Sequence, residues 1–100
     1  MSPTPVDFDR RAIAEARSAW RWYARRSPAA AARFQAELDR AVAEIGSTPS
    51  RWPQYIMGTR CVRLRRFRYL VVYTESLSLV RVIAVAHGSR KPGYWRRRLP

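Results

Sequence analysis

Two groups of side chains in the C-terminal half could carry chemistry. The first is His87-Gly88-Ser89-Arg90-Lys91-Pro92-Gly93-Tyr94-Trp95, which sets the only histidine of the chain close to an arginine and a tyrosine. A histidine titrates at about pH 6.5 and suits general acid–base work. An arginine can offset negative charge in a transition state, and a tyrosine can stack a base or move a proton. Each also has a structural reading. His87 can bond the turn that follows a strand, and Tyr94-Trp95 can close a sheet edge with aromatic surface. The second group is basic: Arg60, Arg63, Arg65, Arg66 and Arg68, with Arg96, Arg97 and Arg98 behind them. Arginines at 63, 65, 66 and 68 with no acid among them repel one another. That favours a phosphate-tracking strip or a docking face for an acidic protein segment over a solvated sheet face.

The charge is lopsided. Residues 47–100 carry 12 Lys/Arg against Glu75 alone, or +11, and residues 1–46 carry 8 against 6, or +2, which sum to the +13 of the chain. All the basic residues but Lys91 are arginine, whose planar fork matches phosphate and carboxylate. With 47% apolar and 12% aromatic residues, the composition is that of a globular domain and not of a disordered basic tail. One hundred residues make one domain, 1–100, with one modest core. Cys61 is the single cysteine, so no disulfide forms within the chain and a cysteine-based metal site is not expected. Cys61 has no His-Asp or His-Asn set beside it to make it a nucleophile. There is no Gly-rich phosphate loop, no His-x-His or Cys-x-x-Cys metal spacing and no paired carboxylates placed for acid–base work, so kinase, dehydrogenase and zinc-hydrolase classes fall away. No cofactor is expected. The N-terminal segment MSPTPVDFDRR has no apolar stretch of a secretory signal, and no apolar run approaches the roughly 18 residues of a membrane span. A soluble protein of the cytoplasm is expected.

The elements that must position these groups can be read in order. Residues 4–8 form a short strand with Val6 and Phe8 on one face. Asp7 or Asp9 caps a helix over 10–26, whose apolar stripe is Ile13, Ala16, Trp20 and Tyr23. Ser27-Pro28 restarts the chain as N-cap and first helical residue. The second helix, 28–45, carries Ala31, Phe34, Leu38, Ala41 or Val42, and Ile45, and Gly46 ends it in a left-handed conformation. So short a connection makes the helices an antiparallel hairpin. Residues 47–58 form a loop packed down by Trp52, Tyr55 and Ile56. Strands follow at 60–66, 69–74 and 79–86, with the last central and Glu75–Ser78 as a turn. The expectation is an α/β (α+β) domain of order β-α-α-β-β-β, with the hairpin on one face of a mainly antiparallel sheet. Trp20, Phe34, Leu38, Ile45, Val62, Leu64, Val72, Ile83 and Val85 should supply most of the core.

The ordered set of Trp20-x-x-Tyr23, Pro49-Ser-Arg-Trp-Pro53, an arginine-rich strand, Tyr69-Leu-Val-Val-Tyr73 and Ala86-His-Gly-Ser-Arg-Lys-Pro-Gly-Tyr-Trp95 resembles the RelE/ParE superfamily of bacterial type II toxins. The resemblance runs over nearly the whole chain. It implies a RelE/ParE-like fold and a toxin silenced by a cognate acidic or amphipathic antitoxin. The implied target is either DNA gyrase, poisoned by binding, or messenger RNA on the ribosome, cut without a metal. For the cutting mode the resemblance assigns basic residues two apart on the first strand of the meander, an arginine on the next strand, and an arginine and a tyrosine four apart near the C-terminus. Arg63, Arg90 and Tyr94 match. Cys61 and Leu70 stand where two of the cations belong, and Arg65, Arg68 and His87 are nearby substitutes. Arg90, Tyr94, Arg63 and His87 are therefore the candidate catalytic residues, and whether the protein is an enzyme stays open. The rival readings are a basic nucleic-acid-binding module without toxicity and a degenerate toxin that only binds a partner.

Overall fold

The computed structural model describes residues 3–100; Met1 and Ser2, the start of the segment read for a secretory signal, lie outside the described residues. Six main elements appear in the expected order: β1 (Val6–Phe8), α1 (Arg10–Ala24), α2 (Pro28–Ser47), β2 (Arg60–Arg63), β3 (Tyr69–Glu75) and β4 (Val80–His87). Asp9 caps α1 by accepting from the Arg11 N–H at 2.8 Å, and Ser27 caps α2 through the Ala30 N–H at 3.2 Å with Pro28 at the first helical position. The sheet order is β1-β4-β3-β2, with β2, β3 and β4 an antiparallel meander and β1 added in parallel to β4. β4 is therefore internal, as its continuous apolar run requires.

The helical hairpin covers one face. Phe34, Leu38, Ala41 and Ile45 of α2 meet Val62, Leu64, Val71, Tyr73, Val82 and Val85. An aromatic knot of Tyr23, Phe34, Phe67 and Tyr69 closes the end near the β2–β3 turn, with centroid spacings of 5.1–5.5 Å. Val72 and Ile83 point to the opposite face, where Trp95 from the C-terminal segment fills the second, smaller cluster with Tyr55, Leu70 and Tyr94. The register of β3 and β4 slips between Val72 and Tyr73, so that Tyr73 pairs with Val82 while Val72 pairs with Ala84. This bulge lets Val82 and Val85 share the helix-covered face three residues apart.

Several expectations are corrected. Trp20 is 42% exposed and Ile13 38%, so neither belongs to the core. α1 lies on the sheet through Ala12 and Ala19, because small side chains allow close approach, and Ile13 and Trp20 are turned to the flank while Tyr23 joins the aromatic knot. There Ile13 and Trp20 line an open groove between the helices, with Leu38 and Val42 on its other wall. Gly46 does not end α2, which runs on to Ser47. Its missing side chain makes room for the chain entering β1: a Cβ there would sit 3.2 Å from the Thr4 carbonyl oxygen, and the Gly46 carbonyl accepts from Thr4 N–H at 2.8 Å. α1 stops at Ala24, and β2 stops at Arg63 because Arg66 adopts φ 67° in the turn to β3. Ile56 is exposed, unlike its neighbours Trp52 and Tyr55, which are partly buried in the loop.

Candidate functional site

β1 reaches only as far as Phe8 opposite Val82 on β4, and the Asp9 N–H extends the pairing by one bond to the Val82 carbonyl. Beyond that point the edge of β4 has no strand beside it, and unpaired backbone groups there need other partners. Glu15 of α1 and Arg98 of the C-terminal segment supply them. Glu15 Oε1 accepts from the Val85 N–H at 3.1 Å, and Arg98 donates to the Ile83 carbonyl at 3.1 Å. The two side chains also bond each other, with Arg98 donating to both Glu15 oxygens at 2.9 and 3.2 Å. Glu15 Oε2 accepts in addition from the Tyr94 hydroxyl at 2.6 Å. One carboxylate thus fastens the C-terminal segment to α1 and to β4.

This fastening fixes Tyr94. Burial, reinforced by the Glu15 carboxylate, drives its hydroxyl far above the usual phenol range. The Arg90 guanidinium lies over its ring at 4.0 Å, and Arg98 approaches the ring at 5.3 Å. Arg90 and Tyr94, predicted as a pair, are brought together. His87 leaves β4 beside them. Its Nδ1 accepts from the Ser89 N–H at 3.1 Å and lies 2.7 Å from the Ser89 hydroxyl, while its ring meets Tyr69 edge-on at 5.1 Å. The turn-bonding role foreseen for His87 is present. His87, Arg90 and Tyr94 share a cleft of about 540 Å³ with Tyr69, and with Trp22 and Tyr23 of α1.

Arg63 belongs to a neighbouring hollow with Arg68, Tyr69 and Ser89, so Tyr69 borders both spaces. The arginines of the strip divide. Arg63, Arg65, Arg66 and Arg68 are exposed, and so are Arg96 and Arg97 in the turn at the C-terminus. Arg65 adds a backbone bond, its N–H reaching Glu37 at 3.2 Å. Arg60 and Arg98 are instead taken up: Arg60 bonds Glu75 at 2.9 Å and the Trp52 carbonyl at 2.6 Å, and Arg98 is in the Glu15 network. Cys61 is half-buried, and burial pushes its thiol up, which lowers its reactivity. Leu70 packs into the cluster around Trp95. Glu15 went unnoticed in the sequence. The available signal was an acid three residues from Ala12 and four from Ala19, on the face α1 turns inward.

The comparisons with known proteins agree with this architecture. The family described as "ParE toxin of type II toxin-antitoxin system, parDE" matches residues 6–92. The chain belongs to the ParE toxin family. A solved structure titled "Chromosomal ParDE TA system from P. aeruginosa" superposes with a TM-score of 0.73 at 14% identity, over 84% of this toxin and 95% of that chain. At that identity the likeness speaks for the fold. No curated protein matches the sequence. Among the described residues of the toxin, no helix is long and apolar enough to cross a membrane.

Proposed function

We propose that this toxin arrests bacterial growth by binding DNA gyrase and does not cut messenger RNA. The observation that carries the choice is the state of Tyr94. A hydroxyl bonded to a carboxylate, its proton held well above neutral pH, is a poor proton carrier for RNA cleavage. Cys61 and Leu70, one half-buried and the other packed against Trp95's cluster, leave two cationic positions of the cutting recipe unfilled. Arg63, His87 and Arg90 then serve as contacts and not as catalytic groups. The toxin works in the cytoplasm, where gyrase and its antitoxin are.

The silencing partner is an antitoxin whose acidic segment covers Arg63, Arg65, Arg66 and Arg68 and comes near His87 and Arg90. The exposed cations in that strip support it, and such pairs are screened over about 8–10 Å near physiological salt. Affinity for the antitoxin should fall as salt rises from about 50 to 500 mM. A salt-indifferent affinity would place the contact on the apolar groove of the helical hairpin, beside Ile13 and Trp20.

Tightly controlled expression in a host without the antitoxin tests the toxin reading. Growth arrest is expected, with primer extension on ribosome-bound message showing no codon-phased cuts. Normal colony counts with soluble, folded protein present would reject a toxin and leave a partner-binding relic. Arrest with codon-phased cuts would reinstate the nuclease.

A further inference from the structure

The turn over 55–59, which leads into β2, presents two apolar side chains to solvent. Ile56 is 38% exposed and Met57 52%. The turn itself is tied down. Buried Thr59 donates to the Ile56 carbonyl through its hydroxyl at 2.7 Å and its N–H at 3.3 Å, and its own carbonyl accepts from the Tyr55 N–H at 2.7 Å. Met57 stands at the tip with φ 59°, where glycine would be easier, and Gly58 follows with φ 74°. A left-handed backbone under a large exposed side chain is the kind of strain that clusters at binding sites.

Both side chains rest on the C-terminal segment. A Cβ at Gly93 would lie 3.1 Å from Met57 Cε and 3.5 Å from Ile56 Cδ1, so the missing side chain makes room for them. Gly93 also lines a hollow of about 340 Å³ with Lys91, Pro92, Tyr94, Arg96 and Arg97. Lys91, Arg96 and Arg97 are exposed, and among the described residues no acid lines the hollow. An apolar ledge is therefore rimmed by three exposed cations. A phosphate backbone would use the cations and leave the ledge idle. No ring is offered to a base beside Ile56 and Met57, because Trp95 is buried and Tyr55 packs against it. A protein segment in which acids flank an apolar residue uses both parts. The family match ends at residue 92, so Arg96 and Arg97 lie outside the part that this toxin shares with its family. A target common to a family is met by shared residues, whereas each toxin must distinguish its own antitoxin.

We infer that Ile56, Met57, Lys91, Arg96 and Arg97 form a docking surface for the cognate antitoxin, which takes a segment whose acids flank one bulky apolar residue. The inference rests on the antitoxin proposed above and adds to the arginine strip a contact by which this toxin selects its own antitoxin.

The test uses the purified full chain and fluorescence anisotropy, first with two labelled peptides of equal charge, three repeats of Glu-Glu-Leu-Glu or of Glu-Glu-Ser-Glu, and then with the antitoxin expressed from the same operon. The leucine peptide should bind about fivefold more tightly than the serine peptide. Met57→Gly suits the left-handed backbone, so it removes the side chain without straining the fold. It should abolish the preference for leucine and weaken antitoxin binding about fivefold. Leu77→Ser, the loss of a fully exposed apolar side chain elsewhere, should change either affinity by about twofold or less. Arg96→Ala with Arg97→Ala should weaken both peptides about tenfold or more at low salt. Arg25→Ala with Arg33→Ala, an equal loss of exposed charge on the helical hairpin, should weaken them about threefold or less. The inference is overturned if the two peptides bind alike or if Met57→Gly matches the parent. It is also overturned if Met57→Gly keeps its antitoxin affinity but loses inhibition of gyrase, which would assign the surface to the target. A parent toxin that does not bind the antitoxin would overturn the antitoxin reading and this inference together, whereas equal binding by parent and Met57→Gly overturns this inference alone.

Discussion

Arg98 and Arg90 are eight residues apart in the same basic segment, yet they are in opposite situations. Arg98 is sunk between α1 and β4, bonded to Glu15 and to the Ile83 carbonyl, and it replaces a strand that is too short to cover the edge. Arg90 is exposed and lies on the Tyr94 ring without a carboxylate partner among the described residues. The same division separates Arg60, held by Glu75 and Trp52, from Arg63, Arg65, Arg66 and Arg68. Residue type and local density are alike in both groups. What differs is access to an acid or a carbonyl that the fold has left without a partner. The first group should therefore govern stability and the second binding.

The largest effect expected is at the centre of the network. Glu15→Ala removes the partner of Arg98, Tyr94 and the Val85 N–H together and leaves a nearly buried guanidinium unpaired. It should cost about 3 kcal/mol, read as a shifted urea midpoint. A loss under about 0.5 kcal/mol would break the division, because Arg98 would then be as dispensable as a surface arginine.

Next comes Asp9, the capping acid of α1. The Arg11 side chain, helped by the Arg11 N–H, holds its carboxyl down from the ordinary 3.8 to about 2. A lowered native pKa gives stability that is complete above about pH 4 and is lost as pH falls toward 2. Since Arg11 is half exposed, the amount lost should be about 1–2 kcal/mol. Asp9→Asn should flatten that part of the acid denaturation profile, and an unchanged profile would show that the pair does not contribute. Arg60→Ala should cost about 1 kcal/mol in the same urea assay, through its bonds to Glu75 and Trp52. Arg63→Ala and Arg68→Ala should each change stability by less than about 0.5 kcal/mol while weakening antitoxin binding and reducing its salt dependence. Comparable stability losses at 60, 63 and 68 would erase the contrast.

Much of the fold was legible because local signals agreed with the packing. Ser27-Pro28 marks a helix start on its own, and the β-branched runs at 71–72 and 80–85 need no tertiary context to read as strands. The periodicity of α2 placed Phe34, Leu38 and Ile45 correctly for the same reason. On α1 the apolar residues cover too much of the circumference to fix which side faces inward. Close approach to the sheet selected Ala12 and Ala19 over Ile13 and Trp20. Gly46 looked like a helix terminator because its close contact with Thr4 comes from a segment some 40 residues earlier in the chain. In the candidate site, Arg90 and Tyr94 could be paired from a spacing of four. Their link to Glu15 spans 79 residues from Tyr94, and no local pattern encodes it. Sheet-edge closure is one of two readings that the sequence allows for Trp95, and the side chain lies instead with Val72 and Ile83 on the second face of the sheet.

The central claim is that exposed Arg90 acts in a binding toxin directed at gyrase. It is tested most directly by a supercoiling assay with purified gyrase, comparing the parent toxin and Arg90→Ala at equal concentration after confirming equal melting temperatures. The account predicts that the parent blocks supercoiling and that Arg90→Ala, still folded, has lost most of that activity. Undisturbed supercoiling by the parent, together with codon-phased cutting of ribosome-bound message, would contradict it.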